Sequence, residues 1–312
     1  MGRDTHYDHF KKEKSSTLKK PRRFLEFLIL KTLQHISYLF PVRWNQKFGA
    51  LIGRVALKLA KKDRGIAEYQ LDFCFPELSI GERQSILKQT FRNVGITLFE
   101  TLVLKKIKKK PEKWIHFENE PLLCKARSEE KGLIMLFGHV GNWELYPTIF
   151  DMLGITGVAI SAKIGDSKLD SFLLDSRSSN NLRTVQRGER ATAKEILTCL
   201  RNKEILLIAI DQDTRIKTVY VDFFGRKAAT AVGPATFAQK FNCPVLSGYG
   251  VRRNDGTHLI RFEKLSNGPY AGTEEETESL TQKYSQALEN HIRSFPDQWV
   301  WFHRRWKNQP ET

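Results

Sequence analysis

From residue 132 onward the chain alternates strand-length apolar runs with segments of helical length, and this alternation constrains its fold more than any other feature. Residues 132–138 form a short apolar run and 143–153 carry a helical pattern; 157–162 and 167–178 repeat the pair. A helix is then expected over 191–201, followed by a buried strand over 205–210 that ends at Asp211. Further along, the pattern predicts a short strand over 219–223, a helix over 230–241, strands over 244–251 and 258–264, and a closing helix over 275–294. Strands separated by helices in this way predict an α/β domain on a mixed, largely parallel sheet flanked by helices. Neither an internal repeat nor a low-complexity linker divides it, so residues 111–312 read as one domain.

The first third of the chain follows another pattern. Residues 1–23 crowd Lys11, Lys12, Lys14, Lys19, Lys20, Arg22 and Arg23 ahead of an apolar stretch and read as a flexible basic arm. The stretch over 24–40 is interrupted by Glu26, Lys31, Gln34 and His35, whereas a spanning helix needs about 20 mostly apolar residues. An interfacial helix is the expectation. Pro41 ends it, and in a second helix Phe48, Leu51, Ile52, Val55 and Leu59 share one face, with Arg54, Lys58, Lys61 and Lys62 on or near the other. That face fits a core contact as well as a membrane surface, while the whole basic N-terminus favours the membrane. Ser79 and Glu82 have the spacing of a capping box, opening a long helix through Leu104. The lysines at 105, 106, 108, 109 and 110 close it, either as a solvated helix end or as a membrane contact. Residues 24–110 are therefore assigned to a helical, membrane-associating region.

Charge narrows the partners. With 51 Lys and Arg against 35 Asp and Glu the formal net charge is +16, which calls for a polyanion: nucleic acid or an anionic membrane surface. Apolar residues at 40% exclude wholesale disorder. No RNA-recognition signature, zinc finger or helix-turn-helix pattern is present, so the membrane is the expected partner and nucleic acid is not. Cys74, Cys199 and Cys243 sit in apolar surroundings, as buried small hydrophobes would.

The chemistry concentrates in Phe137-Gly-His-Val-Gly-Asn-Trp-Glu144, between a buried strand and a helix, where α/β proteins place functional groups. His139 can serve as general base, and Glu144, five residues on, can accept a hydrogen bond from its other ring nitrogen. A substrate hydroxyl then takes the place of a protein nucleophile. Gly138 and Gly141 are expected to leave room for substrate beside the histidine. Asp211 and Asp213 follow a buried strand and lie at the same edge. Two carboxylates at that spacing do not make a metal site, and neither a metal nor a cofactor is assigned.

Several motifs, in order, resemble one family. The segment GHVGNWE is similar to the signature of the bacterial late acyltransferases of lipid A biosynthesis (lauroyl and myristoyl transferases) and of related phosphatidylinositol mannoside acyltransferases. These belong to the lysophospholipid-acyltransferase-like superfamily. The resemblance continues through Phe75-Pro-Glu-Leu78, Phe91-Arg-Asn-Val-Gly95, Asp211-Gln-Asp213, Val221-Asp-Phe-Phe-Gly225 with Thr230, Gly233-Pro-Ala235 with Ala238, and Gln298-Trp-Val-Trp-Phe-His-Arg-Arg-Trp-Lys307. It departs where members carry Asn before the Phe-Pro-Glu-Leu segment and this chain has Gln70 and Leu71.

The resemblance implies a glycerolipid-acyltransferase-like fold and transfer of an acyl chain from an acyl thioester to a hydroxyl of a lipid A precursor. The donor would be acyl carrier protein or acyl-CoA. His139 is the implied base and Glu144 its partner. Arg177 and Arg187 sit where related enzymes carry basic residues that hold phosphate or the developing oxyanion, although a surface role accounts for either alone. Asp211 and Asp213 would organise arginine or loop backbone around the substrate. Thr230 and Gly233 would line an acyl or phosphate pocket, or else only pack a helix entry. The aromatic and basic residues from Trp299 to Lys307 read as structure with a basic rim. The implied location is the cytoplasmic face of a bacterial inner membrane, peripheral or N-terminally anchored. Another glycolipid or a lysophospholipid remains an alternative acceptor, and a peripheral anionic-lipid-binding protein the alternative without catalysis.

Overall fold

The computed structural model describes residues 2–3, 19–162, 167–188, 190–213 and 217–310. Apart from Gly2–Arg3 (β1) and the first turn of the first helix, the expected basic arm lies outside the described residues. Five helices come first: α1 (Lys19–Leu39), α2 (Val42–Leu59), α3 (Lys61–Cys74), α4 (Ile80–Leu102) and the short α5 (Leu104–Lys109). Pro41 separates α1 from α2. The capping box at α4 is formed in both directions, Glu82 N donating to Ser79 Oγ and Ser79 N to Glu82 Oε2.

The α/β part runs β2 (Ile115–Glu118), α6 (Glu120–Ser128), β3 (Leu133–Phe137), α7 (Tyr146–Leu153), β4 (Gly157–Ser161), α8 (Ser167–Ser176), β5 (Leu182–Gln186), α9 (Arg190–Arg201) and β6 (Ile205–Ala209). A hairpin of β7 (Thr218–Phe223) and β8 (Arg226–Ala231) precedes α10 (Gly233–Phe241), β9 (Val245–Arg252), β10 (His258–Ser266) and α11 (Glu274–Ser294). The final β11 (Asn308–Gln309) pairs with β1. Seven strands form one sheet in the order β2-β10-β9-β3-β6-β4-β5, and β9–β10 is its one antiparallel pairing. The α/β expectation holds. The strands β2 and β5 and the helices α3 and α6 add to the elements expected from the sequence. The expected helix over 230–241 starts three residues late, because Thr230 belongs to β8.

The central strand β3 is apolar throughout because it is covered on both faces. Ile134 and Leu136 join the core cluster that holds Trp299, Trp301 and Trp306, while Leu133 and Met135 join the cluster around Ile149 and Phe150. The three tryptophans are essentially inaccessible, so the aromatic C-terminal segment is core. Gln70 fastens it, donating to the carbonyls of Trp301 and His303 and accepting from Arg305 N. Gln70, singled out in the sequence beside the Phe-Pro-Glu-Leu segment, thus has a structural task.

In α2 the apolar face points outward. Leu51, Ile52, Val55 and Leu59 are exposed, together with Leu25, Leu28, Ile29, Ile36 and Leu39 of α1. The core-facing reading of α2 is therefore overturned. What α2 buries is Val42, Asn45, Gln46, Gly49 and Gly53. A Cβ on Gly53 would strike the backbone of Phe91, and one on Gly95 the backbone of α2, so glycine permits the close crossing of α2 on α4. The lysine run is partly structural as well: Lys106 Nζ donates to the carbonyls of Tyr38 and Phe40, and Lys108 Nζ to those of Ser176 and Ser178. These lysines cap the ends of α1 and α8. Among the described residues no helix is long and apolar enough to cross a membrane.

Candidate active site

Parallel pairing of β3 with β6 sets Phe137 opposite Ala209. Two residues further along each strand lie His139 and Asp211, so the register alone brings them together at the carboxyl edge of the sheet. Asp211 accepts three hydrogen bonds: from His139 Nδ1 at 2.8 Å, from His139 backbone N at 2.7 Å and from Trp299 Nε1 at 2.9 Å. With Nδ1 thus engaged as donor, Nε2 is the ring nitrogen left for chemistry. Burial alone would depress the imidazole pKa. The charge and hydrogen bond of Asp211, with the charge of Glu144 behind them, outweigh burial and Arg177 and hold it above its ordinary value. Burial would likewise raise Asp211, but His139 and Trp299 hold its carboxyl well below the usual carboxylate range.

Glu144 does not take the ring nitrogen, which corrects the expected pairing. Its two oxygens accept a bidentate pair from Arg177, Nε to Oε2 and Nη2 to Oε1, each at 2.7 Å. A fork of that kind satisfies the carboxylate, and Asp211 already occupies Nδ1. The residues from Trp143 to Leu145 form a 3-10 turn with Asn142 as its cap, Glu144 N donating to Asn142 Oδ1 at 3.0 Å. The two glycines also serve another end than expected. A Cβ on Gly138 would meet Leu288 at 2.7 Å, and one on Gly141 would meet the Gly250 carbonyl at 2.7 Å. Gly141 adopts φ +64°. Both make room for protein, not for substrate.

In front of His139 opens a cavity of about 390 Å³, within the usual size of small-molecule sites. Its walls are largely apolar, with Phe137, Trp143, Ile160, Ile196, Leu207 and Phe237 among them, and Glu144, Arg177, Arg187, Thr184 and Gln212 supply polar groups. The Trp143 ring stands edge-on to His139 with centroids 5.0 Å apart. Of the residues singled out in the sequence, His139, Glu144, Arg177, Arg187 and Gly233 line this cavity, and Asp211 stands behind His139. Asp213 and Thr230 are occupied elsewhere. Asp213 accepts from N and Nδ2 of Asn308, and Thr230 Oγ1 donates to the Ala228 carbonyl and accepts from the buried Arg305. Arg305, expected with its neighbours as structure with a basic rim, is buried rather than at a rim and also donates to the Ala229 carbonyl. Among the described residues no group of three or more His, Cys, Asp or Glu could hold a metal ion.

A histidine oriented by a buried carboxylate, facing an apolar cavity with two arginines on its wall, can deprotonate a hydroxyl beside an aliphatic chain. Comparison with known proteins finds similar sequences among acyltransferases. Residues 11–308 match the profile of the bacterial lipid A biosynthesis acyltransferases. The lipid A biosynthesis lauroyltransferase of Escherichia coli (strain K12) is 24% identical over 303 residues, 95% of this chain and 96% of that protein. The palmitoleoyltransferase of the same organism is 24% identical over 84% of both chains. A phosphatidylinositol mannoside acyltransferase of Mycobacterium tuberculosis (strain CDC 1551 / Oshkosh) is 22% identical over 56% of this chain and 54% of its own.

Proposed function

Because the chain belongs to the bacterial lipid A biosynthesis acyltransferase family, we propose that it moves a fatty acyl chain from acyl carrier protein to a hydroxyl of a lipid A precursor, with His139 as general base. The observation that carries this reading is the His139–Asp211 pair on the wall of the apolar cavity. The acceptor hydroxyl approaches Nε2, which removes its proton as the oxygen attacks the thioester carbonyl. The tetrahedral oxyanion collapses, the C–S bond breaks, and the imidazolium returns the proton to the departing thiolate. Asp211 fixes the tautomer and stabilises the imidazolium. Glu144 adds negative charge near the ring and holds Arg177 at the cavity wall. Arg177 and Arg187 face the oxyanion or an acceptor phosphate, and the apolar lining, with Gly233 at its edge, takes the acyl chain.

The exposed apolar faces of α1 and α2, flanked by exposed Arg43, Lys47, Arg54 and Lys58, would seat the enzyme on the anionic cytoplasmic face of the inner membrane. The test is mass spectrometry of products from purified protein, acyl carrier protein loaded with mixed chains, and a panel of acceptor lipids. One acyl mass added to one acceptor by wild type, and lost in His139→Ala, is the expected result. Equal transfer by His139→Ala would refute the base assignment, and no transfer to any lipid would refute the reaction.

A further inference from the structure

A second buried carboxylate lies on the other side of the catalytic turn, outside the cavity. Glu100 of α4 is fully inaccessible. Its Oε1 accepts from Gln46 Nε2 at 2.7 Å and Arg252 Nε at 3.3 Å, and lies 3.2 Å from His258 Nε2. Its Oε2 accepts from Arg252 Nη2 at 2.7 Å and Asn142 Nδ2 at 2.8 Å. Burying such a cluster does little for packing, since apolar residues of similar volume often serve as well or better. What the carboxylate adds is a fixed acceptor for Asn142. That side chain has two hydrogen-bonding ends, and both are used: Nδ2 donates to Glu100 while Oδ1 caps Glu144 N at 3.0 Å. The same helix holds the turn once more, Thr97 Oγ1 donating to the Gly141 carbonyl at 3.0 Å.

We propose that Glu100 is a positioning residue for acyl transfer: through Asn142 it fixes the turn on which His139 and Glu144 stand. The proposal rests on the acyl-transfer reading above. Glu100 touches no substrate. It acts by dictating which end of Asn142 faces Glu144. With a glutamine at 100 whose amide nitrogen faces Asn142, the two amide groups oppose donor to donor. If Asn142 then flips, its amide nitrogen meets Glu144 N and the cap is lost. Either way the turn loses one link. Since a displacement of about 1 Å at a reacting group can cost ~10²-fold in rate, the loss falls on kcat.

The pairing logic supplies its own rescue. In Glu100→Gln/Asn142→Asp the carboxylate has moved across the contact, and Asp at 142 can accept from both the glutamine amide and Glu144 N. Transfer is assayed with the full chain by the mass-spectrometric assay, with His139→Ala in parallel and turnover expressed per folded protein. Glu100→Gln and Asn142→Asp should each lower kcat by ~10²-fold with KM little changed, and the double variant should recover to within about threefold of wild type. Asn142→Ser, which can still cap Glu144 N but cannot reach Glu100, keeps the test open should a single charge change fail to fold; its kcat should fall as well. Wild-type kcat in Asn142→Ser or Glu100→Gln would overturn the proposal alone, as would a double variant no better than the product of its singles. A wild type that acylates no lipid would instead overturn the reading on which it rests.

Discussion

Asp211→Asn isolates the contribution of the orienting carboxylate with almost no change of volume. In the native site Oδ1 accepts from His139 Nδ1, while Oδ2 accepts from both His139 N and Trp299 Nε1. An asparagine has one acceptor end and one donor end. Keeping its oxygen toward the two fixed N–H donors satisfies both of them and turns its NH2 toward Nδ1. Nδ1 must then become an acceptor, the proton moves to Nε2, and the nitrogen that faced the hydroxyl can no longer remove a proton. The expected loss in kcat is ~10²–10⁴-fold, the range of general-base assistance, or ~3–5 kcal/mol of transition-state stabilisation. The pH profile should move too. In the proposed reaction His139 works as the neutral base, and the native pair holds its pKa above the ordinary value, so the acid limb of kcat/KM is expected above that value. Without the Asp211 charge the limb shifts to lower pH. Stability follows the same linkage. The His139 contribution is complete below its unfolded pKa and lost as pH rises through the folded one; the Asp211 contribution is present above its unfolded value and lost as pH falls through the depressed one. Asp213→Asn is the control, since among the described residues Asp213 accepts its hydrogen bonds from Asn308, and the substitution should leave kcat near wild type. The assay is steady-state acyl transfer between about pH 5 and 9. An Asp211→Asn enzyme with wild-type kcat, or with an unmoved acid limb, would refute the reasoning.

Arg177→Lys keeps the charge but breaks the fork onto Glu144, so kcat/KM should fall by about tenfold or more; steady-state kinetics within twofold of wild type would contradict this. Gly53→Leu drives a side chain into the backbone of Phe91 and should cost ~1–3 kcal/mol, read as a lowered Tm with the α2–α4 crossing disturbed. Leu51→Asp/Leu59→Asp alters only the exposed face of α2. It should weaken flotation on phosphatidylglycerol vesicles by about tenfold or more, with turnover of detergent-dispersed substrate unchanged.

The α/β core was legible in the sequence because β3 and β6, covered on both faces, are apolar without interruption. The strand β5 (Leu-Arg-Thr-Val-Gln) lies at the sheet edge, carries polar residues and gave no such signal. His139 and Glu144 could be picked from the turn between strand and helix, and Asp211 from the end of a strand. Which carboxylate serves the histidine could not be read. Sequence spacing favours Glu144, five residues away, whereas strand order favours Asp211, 72 residues away, and a single sequence does not reveal that β6 lies beside β3. The outward face of α2 was ambiguous for a similar reason: beyond Val42 its buried side is made of glycine and polar residues, which carry no hydrophobic periodicity.

The catalytic turn hangs between two buried anions, and their different partners explain why one chain needs both. Asp211 is joined to a titrating group, so in the proposed reaction its charge acts on the proton that His139 takes up and returns. Glu100 is joined to Arg252 and to amides, and in the positioning role proposed for it its charge acts on geometry. An enzyme with only the first would hold its base in the right tautomer on a turn free to drift; one with only the second would hold a well-placed ring in the wrong tautomer. The loop after α11 closes the arrangement from the third side. Trp299 donates to Asp211, Gly141 N donates to the Gln298 carbonyl, and the Gln298 side chain bonds the backbone of Arg252 in both directions. The C-terminal segment, distant from both carboxylates in sequence, thus bonds Asp211 directly through Trp299 and reaches Glu100 through Gln298 and Arg252.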